Sequence, residues 1–173
     1  LFDDQVFLRP YNGEIVRAID YEISRGCIYT CAYCVETVIQ KYYDLDDHNS
    51  NGTLLKPKNY LRNKSAKKIF DEINYIVKHY KIELFRCQDT NFLTIDRQTL
   101  NELAELIDNS DLKIKLYIET RPEGINEKSI KLLKKLKVDG VGMGIEMSDD
   151  SFRKGTLNRH VDQDKILKAF SLL

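Results

Sequence analysis

The sequence has little charge imbalance and few cysteines. Its 173 residues contain 27 Lys and Arg against 27 Asp and Glu, which leaves a formal net charge of zero. A chain without net charge has no overall field to attract nucleic acid or an anionic membrane. Its four cysteines are far fewer than a small secreted disulfide scaffold carries. The composition therefore gives no strong nucleic-acid signal and favours reduced thiols.

Long apolar runs are also absent. No stretch approaches the ~20 consecutive apolar residues that a membrane-spanning helix needs, and the first residues lack the pattern of a signal peptide. We therefore expect a cytoplasmic protein with no membrane partner. With 42% hydrophobic residues, the chain is long enough to bury the core of one domain.

The two ends of the sequence lack the usual signals. The chain begins at Leu1 rather than at a methionine, and it stops within a helical pattern, KILKAFSLL, that has no stop signal. We expect it to be a piece of a longer protein.

Three of the cysteines are clustered in the segment RGCIYTCAYC. Cys27, Cys31 and Cys34 have the spacing Cys-x-x-x-Cys-x-x-Cys. A 4Fe–4S cluster has four irons and normally takes four thiolates. Three local thiolates would leave one iron open to a small molecule, which indicates chemistry rather than electron storage alone.

Two other uses of clustered cysteines stay open at this point. A structural zinc site needs four ligands, usually in two pairs, but the remaining candidates are Cys87 and the scattered His48, His79 and His160. A non-catalytic iron–sulfur module for electron transfer is the second alternative. We expect Cys87 itself to behave as a small buried hydrophobe.

The rest of the chain alternates between strands and helices. This alternation predicts βαβ units around a parallel sheet, and hence an α/β fold with about four parallel βα units. Residues 1–16 are predicted to be an irregular lead-in. The predicted elements are a strand at 17–24, a helix at 35–43, a loop at 44–63, a helix after Ser65, a strand at 81–87, a helix at 96–108, a strand at 113–119, a helix at 126–137, a strand at 139–146 and a helix at 161–173.

Polar residues follow each predicted strand. In a parallel βα barrel the active site gathers at the carboxyl ends of the strands. The first strand leads into the cysteines, and the next ones lead into Asp89 and Thr90, then Glu119 and Arg121, then Glu146. The structural alternative is that some of these residues cap helices, or that Glu119 pairs with Arg121. The placement favours an active site at this edge.

These motifs resemble the radical S-adenosylmethionine (radical SAM) superfamily. Its three cysteines have this spacing, and an aromatic residue, here Tyr33, usually precedes the third. The segments SRGCIYTCAYC, DTNF, ETRPE and GIEMSDDSFRKGTLNRHVDQDKILKAF look like the branch that carries an N-terminal cobalamin-binding domain. The resemblance implies a six-stranded partial barrel. Residues 17–173 would form its core, residues 1–16 a linker from a preceding domain, and strands five and six would lie beyond Leu173.

The resemblance also implies the chemistry. In that family the open iron is chelated by the amino and carboxylate groups of S-adenosylmethionine. One electron from the cluster splits this cofactor into methionine and a 5′-deoxyadenosyl radical, which abstracts a hydrogen atom from the substrate. The resemblance to this branch also leads us to expect cobalamin in the full-length enzyme, often used for methyl transfer and bound mainly by residues outside this chain. The expected partners are an unidentified small-molecule substrate and an electron donor such as flavodoxin or ferredoxin.

The family's cofactor contacts can be carried over to particular residues. Tyr33 belongs to the cofactor site through its place in the cysteine motif. The family often has Gly-Gly-Glu after the second strand, and this sequence departs from it with CQDTNF. We assign Asp89 and Thr90 to the ammonium group of the cofactor, with Glu119 as another candidate for that charge.

The fourth strand and the segment after it supply the remaining assignments. Glu146 is expected to bind the ribose hydroxyls, because a carboxylate can accept from two hydroxyl groups. Arg159 is expected to bind the methionine carboxylate, for which a planar guanidinium is suited. Glycines in this strand either let the adenosine approach the backbone or permit tight packing: Gly140, Gly142 and Gly144.

Overall fold

The structure, a computed structural model, describes residues 4–45 and 47–173. The strands are β1 (Leu8–Tyr11), β2 (Glu14–Tyr21), β3 (Ser24–Arg25), β4 (Arg62–Asn63), β5 (Leu84–Cys87), β6 (Lys115–Thr120) and β7 (Val138–Met143). The α-helices are α1 (Val35–Tyr42), α2 (Ala66–Tyr80), α3 (Arg97–Asp108), α4 (Glu127–Lys135), α5 (Asp150–Gly155) and α6 (Gln163–Leu172). None of the helices in the described ranges has the length and apolar character that a bilayer crossing requires.

Parallel strands form the centre of the main sheet. The strand order is β1-β2-β5-β6-β7, and β2, β5, β6 and β7 run in the same direction. The predicted α/β fold with four parallel strands is therefore confirmed. Since the carboxyl ends of parallel strands lie at one edge, the segments that follow β2, β5, β6 and β7 meet there.

The prediction of an irregular lead-in over residues 1–16 was wrong for its second half. Residues 8–11 form β1, which pairs antiparallel with β2. The two strands are joined through Asn12 and Gly13, whose φ angles are 50° and 82°. An Asn-Gly pair adopts such angles at low cost and favours a tight hairpin. Residues 1–3 of the predicted lead-in lie outside the described residues.

The structure contains two short elements, a strand and a helix, that the sequence analysis does not predict. The predicted loop 44–63 contains β4, which pairs antiparallel with β3. Helix α5 begins after Asp149, whose carboxylate accepts a hydrogen bond of 2.6 Å from the backbone N–H of Phe152. Both elements are shorter than the 11–18 residues over which apolar periodicity can be recognised.

The longer helices begin at the polar residues that cap them. Ser65 Oγ accepts a hydrogen bond from the Lys68 N–H at 3.3 Å, and the Asp96 carboxylate accepts one from the Thr99 N–H at 2.8 Å. Asn126 forms a capping box at the start of α4. These bonds satisfy backbone donors that the helices themselves cannot. Sequence and structure therefore agree on where α2, α3 and α4 begin.

The hydrophobic core lies between these helices and one face of the sheet. Helix α3 packs between α2 and α4, and Leu103 on α3 and Leu116 and Ile118 on β6 are fully buried. Because side chains alternate along a strand, Tyr117 and Glu119 point to the opposite face. A Cβ atom on Gly142 of β7 would lie 2.5 Å from the hydroxyl oxygen of Tyr117. This second face is the one that the functional residues occupy.

The segment that carries the three cysteines has little secondary structure of its own. We call residues 26–34 the cysteine loop. Gln40, buried on α1, donates from Nε2 to the carbonyl oxygens of Cys27 at 2.9 Å and Tyr29 at 3.0 Å. Buried carbonyl groups without partners cost free energy, so this one side chain stabilises the first half of the loop.

Two later segments of the chain hold the second half of the cysteine loop. Asn158 Nδ2 donates to the Thr30 carbonyl oxygen at 2.8 Å and to Thr30 Oγ1 at 2.9 Å. The Thr30 N–H donates to the Gly52 carbonyl oxygen at 2.9 Å. The loop is therefore fixed to a segment 128 residues later in the sequence.

A glycine is required where the cysteine loop begins. Gly26 has a φ angle of 92°, and a Cβ atom there would lie 2.9 Å from the carbonyl oxygen of Tyr60. Both the left-handed backbone and the close approach exclude a side chain at this position.

We predict that Gln40→Met destabilises the protein by about 2 kcal/mol, because it leaves the Cys27 and Tyr29 carbonyl groups buried without their donor. Methionine is similar in shape, so packing is largely preserved. Chemical denaturation at pH 7 would measure the free energy of unfolding. Lys41→Met, on an exposed neighbour, is the matched control and should change it by less than about 0.5 kcal/mol. Equal effects of the two changes would contradict the prediction.

Glu72 connects α2 to the end of β2. Its carboxylate accepts a hydrogen bond from the Tyr21 hydroxyl at 2.6 Å and forms ion pairs with Lys64 at 2.7 Å and Lys68 at 3.3 Å. Burial raises the pKa of Glu72, but these three partners outweigh it and lower the pKa from 4.5 to about 2. The ionised carboxylate is therefore a stabilising contact between helix and sheet.

We predict that Glu72→Gln lowers the free energy of unfolding by about 1.5 kcal/mol at pH 7, since hydrogen bonds to a charged group are lost. A depressed pKa contributes stability above pH 4.5 that is lost as pH falls towards 2. The difference between wild type and variant should therefore shrink over that range, as followed by denaturation at several pH values. Glu105→Gln, which breaks an exposed pair with Lys135, is the control; a difference that does not depend on pH would count against this role.

Candidate active site

A cavity of about 370 Å³ opens at the carboxyl edge of the main sheet. Its walls come from the cysteine loop and from the segments at and after the ends of β5, β6 and β7. All but one of the predicted site residues line it: Cys27, Cys31, Tyr33, Cys34, Thr90, Glu119, Glu146 and Arg159. Residues separated by more than a hundred positions in sequence are thus brought to one place by the parallel topology.

The three clustered cysteines are free thiols at this cavity. Cys27 and Cys31 are buried and Cys34 is half-buried. Burial raises the pKa of the Cys27 thiol to about 11, although a backbone hydrogen bond from Tyr29 and the charge of Arg121 oppose it. Among the described residues, no three His, Cys, Asp or Glu side chains converge as ligands of a single metal ion. In a 4Fe–4S cluster each iron takes its own thiolate, so three thiols along one cavity suit such a group.

Arg159 is buried in the cavity wall next to the cysteine loop. It is 3% exposed, donates from Nη1 to the Tyr33 hydroxyl at 3.1 Å, and donates from Nη2 to the carbonyl oxygen of Gly144. Its Nε has no hydrogen-bond partner among the described residues. A buried donor is normally satisfied, so this guanidinium has capacity for an acceptor that the protein does not supply.

Glu146 lies beside Arg159 at the end of the segment that follows β7. Its backbone has a φ angle of 68°, a left-handed conformation that is uncommon outside glycine and is often found at functional sites. The space that a Cβ atom on Gly144 would take is filled by the Glu146 carboxylate. Gly142 and Gly144 line the cavity, whereas a side chain on Gly140 would collide with Tyr11 and Tyr117.

Asp89 is the predicted site residue that does not line the cavity. It is 1% exposed, and its carboxylate accepts hydrogen bonds from the Ser24 N–H at 2.5 Å and the Ser24 hydroxyl at 2.6 Å. Burial raises the pKa of Asp89, and the Ser24 bonds oppose this without cancelling it. The neighbouring Thr90 does line the cavity. A contact between Asp89 and the ammonium group of the cofactor stays a prediction.

Arg121 reaches the cavity directly beneath the cysteine loop. Its Nη1 donates to Cys31 Sγ at 3.0 Å, and its Cζ lies 3.7 Å from the centre of the Tyr29 ring. Its Nε donates to Glu123 at 3.0 Å, and its Nη2 donates to the same carboxylate. Burial lowers the pKa of Arg121, but Glu123 more than compensates, so the group stays protonated.

Sequence reasoning missed this cluster of Tyr29, Arg121 and Glu123. Arg121 was considered as a partner for Glu119, but the structure pairs it with Glu123. The position of Arg121 after a predicted parallel strand indicates this edge of the sheet, but not its contacts with Cys31 and Tyr29. The choice of carboxylate depends on the turn over Pro122–Gly124, which sequence does not resolve.

Cys87 lies at the end of β5 but belongs to the hydrophobic core. It is 1% exposed, and burial raises the pKa of its thiol well above the ordinary range. This agrees with its predicted behaviour as a small hydrophobe, since buried cysteines in apolar surroundings are inert.

Comparisons of sequence identify a family and a relative. Residues 21–173 match the model of the radical SAM superfamily. The anaerobic magnesium-protoporphyrin IX monomethyl ester cyclase of Rubrivivax gelatinosus is 26% identical over 152 residues, which cover 87% of this chain and 24% of that protein. The chain therefore spans about a quarter of the length of this relative.

Two solved structures share the fold. The radical S-adenosylmethionine methyltransferase TsrM from Kitasatospora setae, with tryptophan substrate and a SAM analogue bound, has a TM-score of 0.68 at 15% identity, over 90% of this chain and 28% of its own. The cobalamin-dependent S-adenosylmethionine radical enzyme OxsB, with aqua-cobalamin bound, has a TM-score of 0.64 at 19% identity, over 88% and 22%.

The family model covers most of the chain, and the compared structures share its partial βα fold. Members of this family bind a 4Fe–4S cluster and S-adenosylmethionine. Three free thiols around one cavity, together with a buried guanidinium that has one unpartnered nitrogen among the described residues, fit both groups. The chain belongs to the radical SAM superfamily.

Proposed function

We propose that this chain is the catalytic core of a radical SAM enzyme. Cys27, Cys31 and Cys34 would hold a 4Fe–4S cluster with one open iron, and S-adenosylmethionine would bind in the adjoining cavity. When bound, the cluster supplies the electron for reductive cleavage of S-adenosylmethionine to methionine and a 5′-deoxyadenosyl radical. The proposal requires the thiols and the cofactor contacts to border the same space.

The observation that carries the proposal is the unsatisfied Nε of Arg159. This buried guanidinium lines the same cavity as the three cysteines. A carboxylate is the strongest acceptor for an arginine, and the methionine moiety of the cofactor has one. The hydrogen bond from Arg159 to Tyr33 supports the same assignment, because it links this group to the residue that precedes the third cysteine.

The remaining polar residues of the cavity suit the other parts of the cofactor. Thr90 and Glu119 offer oxygen acceptors for the ammonium group, and Glu146 offers a carboxylate for the ribose hydroxyls. Asp89 would act on the ammonium group only if its bonds to Ser24 were exchanged. Its buried position supports a role in orienting the start of β3, which leads into the cysteine loop.

The reaction class is proposed from the relatives. Because they include a methyltransferase and a cobalamin-dependent enzyme, we propose hydrogen abstraction or cobalamin-assisted methyl transfer on a small molecule. Cobalamin would be bound mainly outside this chain. Reduced thiols and an oxygen-sensitive cluster suit the cytoplasm, where an electron donor of the flavodoxin or ferredoxin class would supply electrons.

We predict that anaerobically reconstituted protein, reduced with dithionite, gives the electron paramagnetic resonance signal of a reduced 4Fe–4S cluster, and that S-adenosylmethionine shifts it. The shift is expected because the cofactor would change the coordination of the open iron. Each of three single substitutions should remove the signal and most of the bound iron: Cys27→Ala, Cys31→Ala and Cys34→Ala. Cys87→Ala is the matched control and should retain both.

Each other outcome has a distinct meaning. A cluster signal that does not respond to the cofactor would replace the proposal with the electron-transfer module. Tightly bound zinc in place of iron would replace it with a zinc-stapled domain. Loss of iron in Cys87→Ala, but not in a variant of the clustered cysteines, would overturn the ligand assignment.

We further predict that Arg159→Lys weakens S-adenosylmethionine binding about tenfold. The charge is kept, but the planar fork that matches a carboxylate is lost, and a tenfold change corresponds to about 1.4 kcal/mol. The dependence of the spectral shift on cofactor concentration would give the dissociation constant. Arg97→Lys, on an exposed residue outside the cavity, should leave it unchanged. A folded, cluster-loaded Arg159→Lys protein with unchanged affinity would remove Arg159 from the site.

A further inference from the structure

Arg121 places a buried positive charge against one of the cysteine thiols. The residue is 7% exposed, and its Nη1 lies 3.0 Å from Cys31 Sγ. The segments that carry the two residues are 90 positions apart in sequence. The contact is therefore a tertiary feature of the site and not a local consequence of the cysteine motif.

The orientation of this guanidinium is fixed on three sides. Glu123 accepts from both Nε and Nη2, and the ring of Tyr29 lies against the flat face of the group at 3.7 Å. An arginine whose fork is held by a carboxylate has one edge left, and here that edge faces the sulfur. Rotation of Nη1 away from Cys31 would break contacts with both Glu123 and Tyr29.

The two buried arginines of the cavity differ in whether they have an unpartnered hydrogen-bond donor. Every nitrogen of Arg121 has a partner within the protein, whereas Nε of Arg159 has none among the described residues. Arg159 therefore has capacity for a ligand, and Arg121 is already committed to a cysteine sulfur. This division assigns the two residues different tasks.

We propose that Arg121 is a positioning residue that sets the reduction potential of the cluster, and that Glu123 limits how much of its charge the cluster senses. The inference rests on the proposed function, because it needs Cys31 to be a cluster ligand. Hydrogen bonds to ligating sulfurs and the local charge are the means by which proteins tune such potentials. A positive charge in a buried site stabilises the more negative, reduced form.

The electron balance of the tuned step is simple. One electron passes from an external low-potential reductant, dithionite in the experiment, to the cluster, whose net charge falls by one. No bond is made or broken in the protein. No proton moves, because the guanidinium is protonated before and after. The effect of Arg121 is therefore purely on the equilibrium between the two oxidation states.

Removing the charge and removing its counter-charge should have opposite effects. In Arg121→Gln, the ratio of reduced to oxidised cluster at a fixed solution potential should fall about tenfold, which for one electron equals about 59 mV. In Glu123→Gln the ratio should rise, because the amide oxygen still accepts from Arg121 but no longer cancels its charge. A merely structural role would lower cluster content in both variants and would not separate them by sign.

The test uses the anaerobically reconstituted chain, equilibrated with dithionite and redox dyes over a range of potentials. The reduced cluster is quantified by paramagnetic resonance, and iron and sulfide are assayed in each sample. Arg97→Gln, which removes an exposed arginine outside the cavity, is the control and should match wild type. Arg121→Lys should give a smaller fall than Arg121→Gln, since it retains the charge without the fixed fork.

The outcomes that overturn the inference are defined by potential and not by activity. An unchanged potential in cluster-loaded Arg121→Gln, or shifts of the same sign in the Arg121 and Glu123 variants, would contradict it. If Arg121→Gln does not assemble a cluster, Glu123→Gln and Arg121→Lys decide, and an unchanged potential in both overturns it. A wild-type chain that assembles no cluster would contradict the proposed function instead.

Discussion

The active-site region depends on side chains that satisfy the backbone of the cysteine loop. Within the loop the Cys34 N–H donates to the Cys31 carbonyl oxygen, but other peptide groups depend on Gln40 from the following helix and on Asn158 from the far end of the chain. Asn158 is the immediate neighbour of Arg159. The segment that carries both is fastened by fully buried Arg153, which donates to the carbonyl oxygen of Val161 at 3.1 Å. The cysteine loop and the segment that carries Arg159 are therefore joined directly, through Asn158 and through the bond from Arg159 to Tyr33.

The two buried arginines of the cavity have different partners. Arg121 is balanced by Glu123 and directed at Cys31, while Arg159 lies beside Glu146 and contacts Tyr33. Each arginine is buried and would be costly without such partners. This arrangement lets a neutral chain place two cations at one cavity, which explains why net charge carried so little information about function. The relevant field is local and is set by a few residues at the carboxyl ends of strands.

Much of the fold could be predicted because its signals are local. Apolar periodicity and caps such as Ser65 and Asp96 fix the longer helices, and their alternation with strands implies the parallel sheet. Strand β1 could not be predicted, because its four residues include Pro10 and its pairing with β2 is a tertiary choice. At the site, the parallel topology predicts which residues reach the edge but not where each side chain points. The Asp89 carboxylate accepts a hydrogen bond from Ser24 at the start of β3, and Arg121 donates one to Cys31 Sγ. Both contacts depend on packing between segments that are distant in sequence.

The main sheet offers two very different edges. One edge is β1, which has only four residues and includes Pro10, a residue without a backbone N–H. Such a strand is a poor template for pairing with a further strand. The other edge is β7, six residues long and rich in glycine. A strand that joins this sheet would therefore dock beside β7. If it ran parallel, its carboxyl end would arrive near Glu119 and Glu146, on the opposite side of the cavity from β2. A further strand would thus bring new residues to the side of the cavity that Glu119 and Glu146 line.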